Sequence, residues 1–217
     1  MKVLMTRHKE DSLGYYIQRH LERGGCEVTV MQNNVLETFD FTNLGSFDRV
    51  INLAGKTLNQ PISEFDCDES EEVILVNLLG AMNLTAAYAK HRHKGGVIFH
   101  TGSIGGRKVM TNCSAYSASK AGLDHYVHCA GYELKKQNIY VVGIDPCNLL
   151  GTPMTVEVQR GLVENRGMSQ EQVDKIYADA GDTERVGKLY ADMVMMGSTV
   201  LELLSGENII LGKSDHR

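Results

Sequence analysis

At 217 residues the chain suits one domain, large enough to build a core without disulfide or metal support. Its 42% hydrophobic and 23% charged residues describe an ordinary soluble globular protein rather than a disordered or fibrous one. The formal net charge of −5 argues against a nucleic-acid partner, which calls for a basic face toward the phosphates.

In chain order, Val3-Leu4-Met5 forms a short buried strand. Leu13, Tyr16, Ile17, His20 and Leu21 then recur at helical spacing until Gly24-Gly25 stop the helix. Glu27 to Met31 is a second strand, and Arg49 to Ala54 is another, closing on Gly55. Val73, Asn77, Gly80, Leu84 and Tyr88 mark one face of a long helix over about Glu69 to His91. The basic run His91-Arg92-His93-Lys94 complements the dipole at its end. A strand over Gly96 to Thr101 leads into a loop with Gly102, Gly105 and Gly106. A second long helix covers Ser114 to about Lys136, followed by a strand over Ile139 to Asp145. Helical stretches near 155–165, 169–180 and 184–196 precede a last strand, Glu207 to Leu211.

Strands that are mostly continuous apolar runs, alternating with helices, predict an α/β fold: a doubly wound parallel sheet with helices on both faces. Such a sheet binds ligands beyond the carboxyl ends of its strands. The loops after Met5, Ala54, Thr101 and Asp145 are therefore expected to share one crevice.

The five cysteines, Cys26, Cys67, Cys113, Cys129 and Cys147, are widely separated and show no metal-ligand spacing, so no metal site is expected. Reduced thiols in a cytoplasmic protein are the simpler account. The N-terminus is too short before its first strand for a signal peptide, and no apolar run approaches membrane-spanning length, so no membrane partner is expected.

Tyr116-Ser-Ala-Ser-Lys120 carries the chemistry to weigh first. Positions four apart on a helix share a face, so the phenol and the ammonium can serve one site, although a solvated Tyr and Lys on a surface helix have the same spacing. Ser103 lies thirteen residues earlier at a strand end, and Asn77 lies in Leu-Val-Asn-Leu on the preceding long helix. Asn52-Leu-Ala-Gly55 ends the strand before that. Asn77 falls on an apolar stripe, where an unpartnered amide costs about 1–3 kcal/mol. It is either a satisfied structural residue or a site residue.

This ordered set resembles the short-chain dehydrogenase/reductase family over roughly residues 48 to 154. The resemblance implies a single Rossmann-like domain over 1–217, with a substrate lid at about 150–181. It also implies an NAD(P)-dependent oxidoreductase acting on a small-molecule carbonyl or secondary alcohol. Asn77, Ser103, Tyr116 and Lys120 would be its catalytic residues. Tyr116 would be the general acid, with its phenol, ordinarily near pKa 10, lowered by Lys120. Ser103 would hold the substrate oxygen. Asn77 would hold a water linking Lys120 to solvent, and Lys120 would also bond the nicotinamide ribose. Thr6, Arg7, Gly14, Asn52, Ala54, Gly55, Pro146, Leu149 and Thr152 would line the cofactor site with Tyr116 and Lys120. Leu150 is a further candidate, and either it or its neighbours could equally belong to an ordinary strand-to-helix turn. Met154, Val156, Val158, Leu162, Met168, Ile176 and Tyr177 give the lid an apolar or amphipathic character.

The chain departs from the family in its first loop. Where relatives have Thr-Gly-x-x-x-Gly-x-Gly, Thr6-Arg-His-Lys-Glu-Asp-Ser-Leu-Gly14 keeps only Thr6 and Gly14, with one residue extra. The missing glycines normally admit a pyrophosphate to the backbone. Glu10 and Asp11 oppose an anion there, whereas Arg7 and Lys9 can contact one; Asp11 or Ser12 can also serve as an N-cap. The second strand ends Met31-Gln32-Asn33-Asn34 with no acidic residue for a ribose 2′-hydroxyl, so NAD and NADP both stay open, with Arg7 and Lys9 favouring the 2′-phosphate of NADP. Only Gln32 to Phe47 separates that strand from the next, where relatives fit a helix and a strand; a reduced strand over Leu36 to Phe39 is the remaining possibility. The last strand ends Leu211-Gly212-Lys213.

An alternative follows from the altered loop: a non-catalytic binding or regulatory protein of the same fold that has lost the dinucleotide. The resemblance further implies a homodimer or homotetramer joined through the two long helices, with Asn83, Ala86, Ala87, Ala130 and Gly131 allowing close approach on their outer faces.

Overall fold

The computed structural model describes residues 1–31, 34–37, 41, 45–91 and 95–211. Six parallel strands form one sheet in the order β2-β1-β3-β4-β5-β6. They are β1 (Lys2–Met5), β2 (Glu27–Val30), β3 (Arg49–Asn52), β4 (Gly96–Thr101), β5 (Ile139–Asp145) and β6 (Asn208–Ile210). The order reverses between β1 and β3, which places the switch-point crevice above their carboxyl ends.

The strand sequences fill both faces, as side chains alternate along each strand. Val3, Met5, Ile51, Phe99, Val142 and Ile144 face one layer, packed against α1 (Leu13–Arg23) and α7 (Thr183–Val194). Leu4, Val50, Ile98 and Val141 face the other, packed against Leu84 and Tyr88 of α3 (Gly80–His91) and Val127 and Leu134 of α4 (Ser114–Leu134). The domain is thus single and doubly wound, as expected. In α1 the buried residues Leu13, Ile17 and Leu21 fall every fourth position. That helix ends at Gly25, whose φ of +81° lets the chain turn back so that the Cys26 N–H donates to the Leu21 carbonyl.

α2 (Cys67–Ile74) is capped by the Asp66 carboxylate, which accepts from the Glu69 N–H. It continues through a π turn, Leu75–Leu79, into α3. Within this 25-residue helix an 18-residue window with a mean hydropathy of 1.4 is long and apolar enough to cross a membrane by length and composition alone. That corrects the expectation that no apolar run reaches such a length. Its apolar face lies against protein: Val73, Leu84 and Tyr88 are buried to 1% exposure or less.

Other boundaries moved. The segment expected over 169–180 forms only α6 (Gln170–Ile176), opened by a capping box at Ser169 and Gln172, while α5 (Pro153–Glu164) starts from a Thr152 cap. A short α8 (Ser198–Leu203) was not anticipated. Val35 to Glu37 form a turn rather than a strand; Thr38 and Phe39, the run Arg92 to Lys94, Gln32-Asn33 and Gly212-Lys213 lie outside the described residues.

Ala130 and Gly131 are inside the fold, not on the outer face expected for them. The reason is the connection into β6, which crosses α4 at this point. A Cβ on Gly131 would stand 2.3 Å from the Gly206 nitrogen, which itself donates to the Val141 carbonyl at 2.7 Å. Gly131→Ala should therefore lower stability by about 1–3 kcal/mol through overpacking. Urea denaturation checks this, and an unchanged midpoint would show that the crossing is not this close.

Candidate active site

The carboxyl ends of the strands open into one cavity of about 880 Å³. Thr6, Ala54, Gly55, Gly102, Ser103 and Pro146 all line it, so the four expected loops do share a crevice. Of the residues singled out in the sequence, Arg7, Gly14, Tyr116, Lys120, Leu149 and Thr152 also line it. Asn52, Asn77 and Leu150 do not.

Asn52 is buried at 2% exposure, where its side-chain Oδ1 accepts from the Ala54 N–H at 3.1 Å and shapes the turn after β3. Its amide donates to His100 Nδ1 at 3.2 Å. His100 Nε2 lies 2.9 Å from the Thr85 hydroxyl, which donates to the Ala81 carbonyl, so we assign the proton to Nε2. Burial and the nearby Lys120 charge push the His100 imidazole down to about 3, and it is neutral at physiological pH. Thr6 secures the neighbouring turn by accepting from the Leu53 N–H at 2.8 Å.

Asn77 sits within the π turn at 1% exposure, and every polar atom of its carboxamide is engaged. Its oxygen accepts from the Lys56 N–H at 2.7 Å; its nitrogen donates to the Lys56 carbonyl and the Ser119 hydroxyl, each at 2.9 Å. Ser119 passes its own proton to the Tyr116 carbonyl at 2.7 Å. Lys56 turns its ammonium to Glu72 on α2. A π turn widens the helix locally and is frequent at functional sites. A Cβ on Gly55 would lie 3.7 Å from both Asn77 Oδ1 and Lys120 Nζ and 3.8 Å from Met154, so these groups converge on one point.

Ser103 follows β4 in extended backbone, and its hydroxyl accepts from the Gly105 N–H at 3.1 Å. The Ser103 hydroxyl also holds the Tyr116 phenol's pKa down against its burial. Burial prevails: with smaller contributions from Asp145, Cys113 and Tyr177, the phenol is pushed up to about 12. Lys120 does not deliver the lowering expected of it in this arrangement. Its Nζ stands 6.0 Å from the Tyr116 ring centre and donates to the Thr101 carbonyl at 2.9 Å. Burial brings Lys120 itself down to about 8, opposed by Asp124 and then Asp145.

Sequence reasoning missed the carboxylates Asp124 and Asp145 and the Arg107 that bridges them, because only the fold brings 107, 124 and 145 together. Ser119 and Asp124 were in principle visible, being three residues beyond Tyr116 and four beyond Lys120 on one helix.

At the other end, Gly14 opens α1, but a histidine side chain covers it. A Cβ on Gly14 would meet His8 Cβ at 2.5 Å, and His8 Nε2 contacts Gln18 Oε1 at 2.9 Å. Ser12 occupies the N-cap position without capping, since its hydroxyl donates to the Lys9 carbonyl at 2.6 Å; Asp11 takes a φ of +56°. Arg7, Lys9, Asn34 and Glu37 are among the residues that line the cavity. Cys147 takes a φ of +59°, in the left-handed region that favours glycine. A cavity of this volume at the switch point, with basic side chains by a helix N-terminus, fits a dinucleotide in size, place and charge.

Of the lid candidates, Met154, Val158 and Tyr177 line the cavity together with Met110; Leu162 is buried, and Val156 and Ile176 face outward.

Comparison with known proteins agrees with this geometry. Among solved structures, a short chain dehydrogenase family protein from Francisella tularensis superposes with a TM-score of 0.80 at 17% identity, covering 96% of both chains. The protein ElxO with NADP bound superposes with a TM-score of 0.80 at 14% identity, covering 97% of this chain and 96% of that one. Among curated relatives, an NADH-dependent L-xylulose reductase of Ambrosiozyma monospora is 33% identical over 55% of this chain, which spans only 47% of that enzyme. A 7alpha-hydroxysteroid dehydrogenase of Escherichia coli is 24% identical over 75% of this chain and 69% of its own length. The short chain dehydrogenase family model matches residues 26–163, beginning just after the altered first loop. By fold, by site residues and by that match over more than half its length, the chain belongs to the short chain dehydrogenase family.

Proposed function

We propose that the protein is an NAD(P)-dependent oxidoreductase that interconverts a carbonyl and a secondary alcohol. The observation that carries this reading is the meeting of Ser103, Tyr116 and Lys120 in the lining of one cavity, with Ser103 holding the Tyr116 phenol's pKa down. The names of two relatives, an NADH-dependent L-xylulose reductase and a 7alpha-hydroxysteroid dehydrogenase, support it.

When bound, the nicotinamide supplies or takes the hydride at the carbonyl carbon. The Ser103 hydroxyl orients the substrate oxygen toward the phenol. Tyr116, neutral at physiological pH, gives its proton to that oxygen during reduction and receives it during oxidation. Lys120, with its Nζ 6.0 Å from the Tyr116 ring centre, is placed to bond a ribose. Asn77 acts by position: its carboxamide joins the Lys56 turn to α4 through Ser119. Asn77 Oδ1 accepts from the Lys56 N–H and keeps a second lone pair for the water that would link Lys120 to solvent.

The segment 150–181 is read as a substrate lid. Met154, Val158 and Tyr177 with Met110 favour an apolar or amphipathic carbonyl compound. Arg7 and Lys9 favour NADP, while the Glu37 carboxylate on the same end favours a free ribose. A homodimer or homotetramer is proposed through the outer faces of the 67–91 helix and α4, where Leu79 and Tyr132 are exposed. The second reading, a binding protein without dinucleotide, has one observation in its favour: His8 covers Gly14 where a pyrophosphate would approach.

Saturable enhancement of NADPH or NADH fluorescence by the pure protein is the expected result, and no binding of either at millimolar levels would sink the enzyme reading. Against a panel of aromatic and alicyclic ketones, Tyr116→Phe should lower NADPH oxidation by roughly 100-fold or more while leaving NADPH binding within a few-fold. Replacing Arg7 and Lys9 together with Ala should weaken NADPH about tenfold and NADH much less, a difference of about 1.4 kcal/mol. Equal losses would remove the argument for NADP. Sedimentation equilibrium should show a dimer or tetramer at micromolar concentration, and a clean monomer would contradict the assembly.

A further inference from the structure

Behind Tyr116 and Lys120 lies a cluster of charges that the mechanism above does not use. Arg107 follows the turn capped by Ser103. Its Nη1 donates to Asp124 Oδ2 at 2.7 Å, and its Nη2 donates to Asp145 Oδ2. Asp124 is one helical turn beyond Lys120 on α4, and Asp145 ends β5. The other oxygen of Asp145 accepts from the Cys147 N–H at 2.7 Å, in the loop that carries Pro146 into the cavity. The Arg107 loop presses directly on α4: a Cβ on Gly106 would lie 2.9 Å from the Lys120 carbonyl carbon.

We propose that Arg107 is a positioning residue of this site: its guanidinium clamps Asp124 and Asp145 into a buried carboxylate pair that sustains the charge of Lys120 and joins the segments bearing Ser103, Lys120 and Pro146.

The charges decide why an arginine is needed. Asp145 is 1% exposed and Asp124 is 9% exposed; burial raises the pKa of both, and Asp145 raises Asp124 further. Arg107 opposes this at both carboxylates, by charge and by hydrogen bond, joined by the Cys147 N–H at Asp145 and by the Lys120 charge at both. A lysine carries the charge but not the planar fork that reaches two carboxylates at once. Without the guanidinium, one of the pair takes up a proton, since two close buried carboxylates do not both stay ionised. Lys120 then loses part of the anionic field that holds it above the value burial alone would impose. The groups facing Lys120 are Asp124 and Tyr116 from α4, Asp145 from β5 and His100 from β4, with Arg107 behind the two carboxylates. His100 is neutral and Tyr116 protonated, so the carboxylates are the charges able to support the ammonium. Asp145 also raises Tyr116, whereas Asp124 is not among its perturbers. Asp124→Asn is therefore the variant that reports on Lys120 selectively.

The test is a pH titration of lysine side chains by 13C NMR on the full chain, with Lys120→Arg to assign the signal. Lys120 should titrate at about 8 in the parent protein. Asp124→Asn and Arg107→Gln should each move it to lower pH by roughly 0.5–1 unit, with Arg107→Lys between them and the parent. The double variant should shift little beyond either single one, because both act through one cluster. A lower lysine midpoint means the ammonium is lost sooner as pH rises, so the alkaline limb of kcat should fall to lower pH by the same amount. Should Arg107→Gln fail to fold, Asp124→Asn, whose carbonyl still accepts from Arg107, carries the test. Folded variants with an unmoved Lys120 midpoint would overturn the clamp, whatever their thermal stability. The relevance to turnover rests on the function proposed above, but the midpoint does not. A shifted Lys120 in a protein that binds no dinucleotide would leave the clamp standing and remove that function.

Discussion

Three segments distant in sequence meet at the carboxamide of Asn77. Its oxygen and nitrogen grip both backbone groups of Lys56, and its second N–H reaches Ser119 one position before Lys120. A buried amide left unpaired is destabilising by about 1–3 kcal/mol, so this arrangement is strongly specified. The turn after β3, the π turn and α4 are therefore held in one register. The positions of Tyr116 and Lys120 relative to the cavity follow from that register, as does the approach of Gly55 to both Asn77 and Lys120.

On this frame, burial works against charge at every titratable group on the floor. It pushes the Tyr116 phenol up, Lys120 down and the His100 imidazole far down. A neutral phenol beside a lysine that is still largely charged near neutrality is the state that suits proton donation to a carbonyl oxygen. Two buried carboxylates and a guanidinium maintain that balance from behind, and a neutral histidine bonded to Asn52 and Thr85 fills the adjoining space without adding charge. The opposite end of the cavity is built differently. Side chains from Arg7 to Lys9, rather than bare backbone, border the start of α1, and the glycine retained there admits a histidine ring.

Much of this was legible beforehand. Buried strands announce themselves as apolar runs, and Gly24-Gly25 as a stop, because such signals are local. The four loops converging on one crevice followed from the parallel α/β order alone. Asn77 was recognisable as a polar residue on an apolar stripe. The outward placement of Ala130 and Gly131 was misjudged, since nothing near them in sequence reveals that the segment at Gly206 crosses their helix. The apolar length of the 67–91 helix escaped notice because polar residues such as Asn77 and Thr85 interrupt the run without ending the helix.

The sequence by itself determined the fold class, the family and the order of Asn77, Ser103, Tyr116 and Lys120, because periodicity and spacing are properties of the chain. It could not determine what those groups would feel. Whether Lys120 lowers the phenol depends on a distance of 6.0 Å and on a carbonyl that the ammonium prefers. Whether its own charge survives burial depends on Asp124, Asp145 and Arg107 arriving from three elements. Electrostatic energies vary with separation and burial in space, and only the tertiary structure sets either of them.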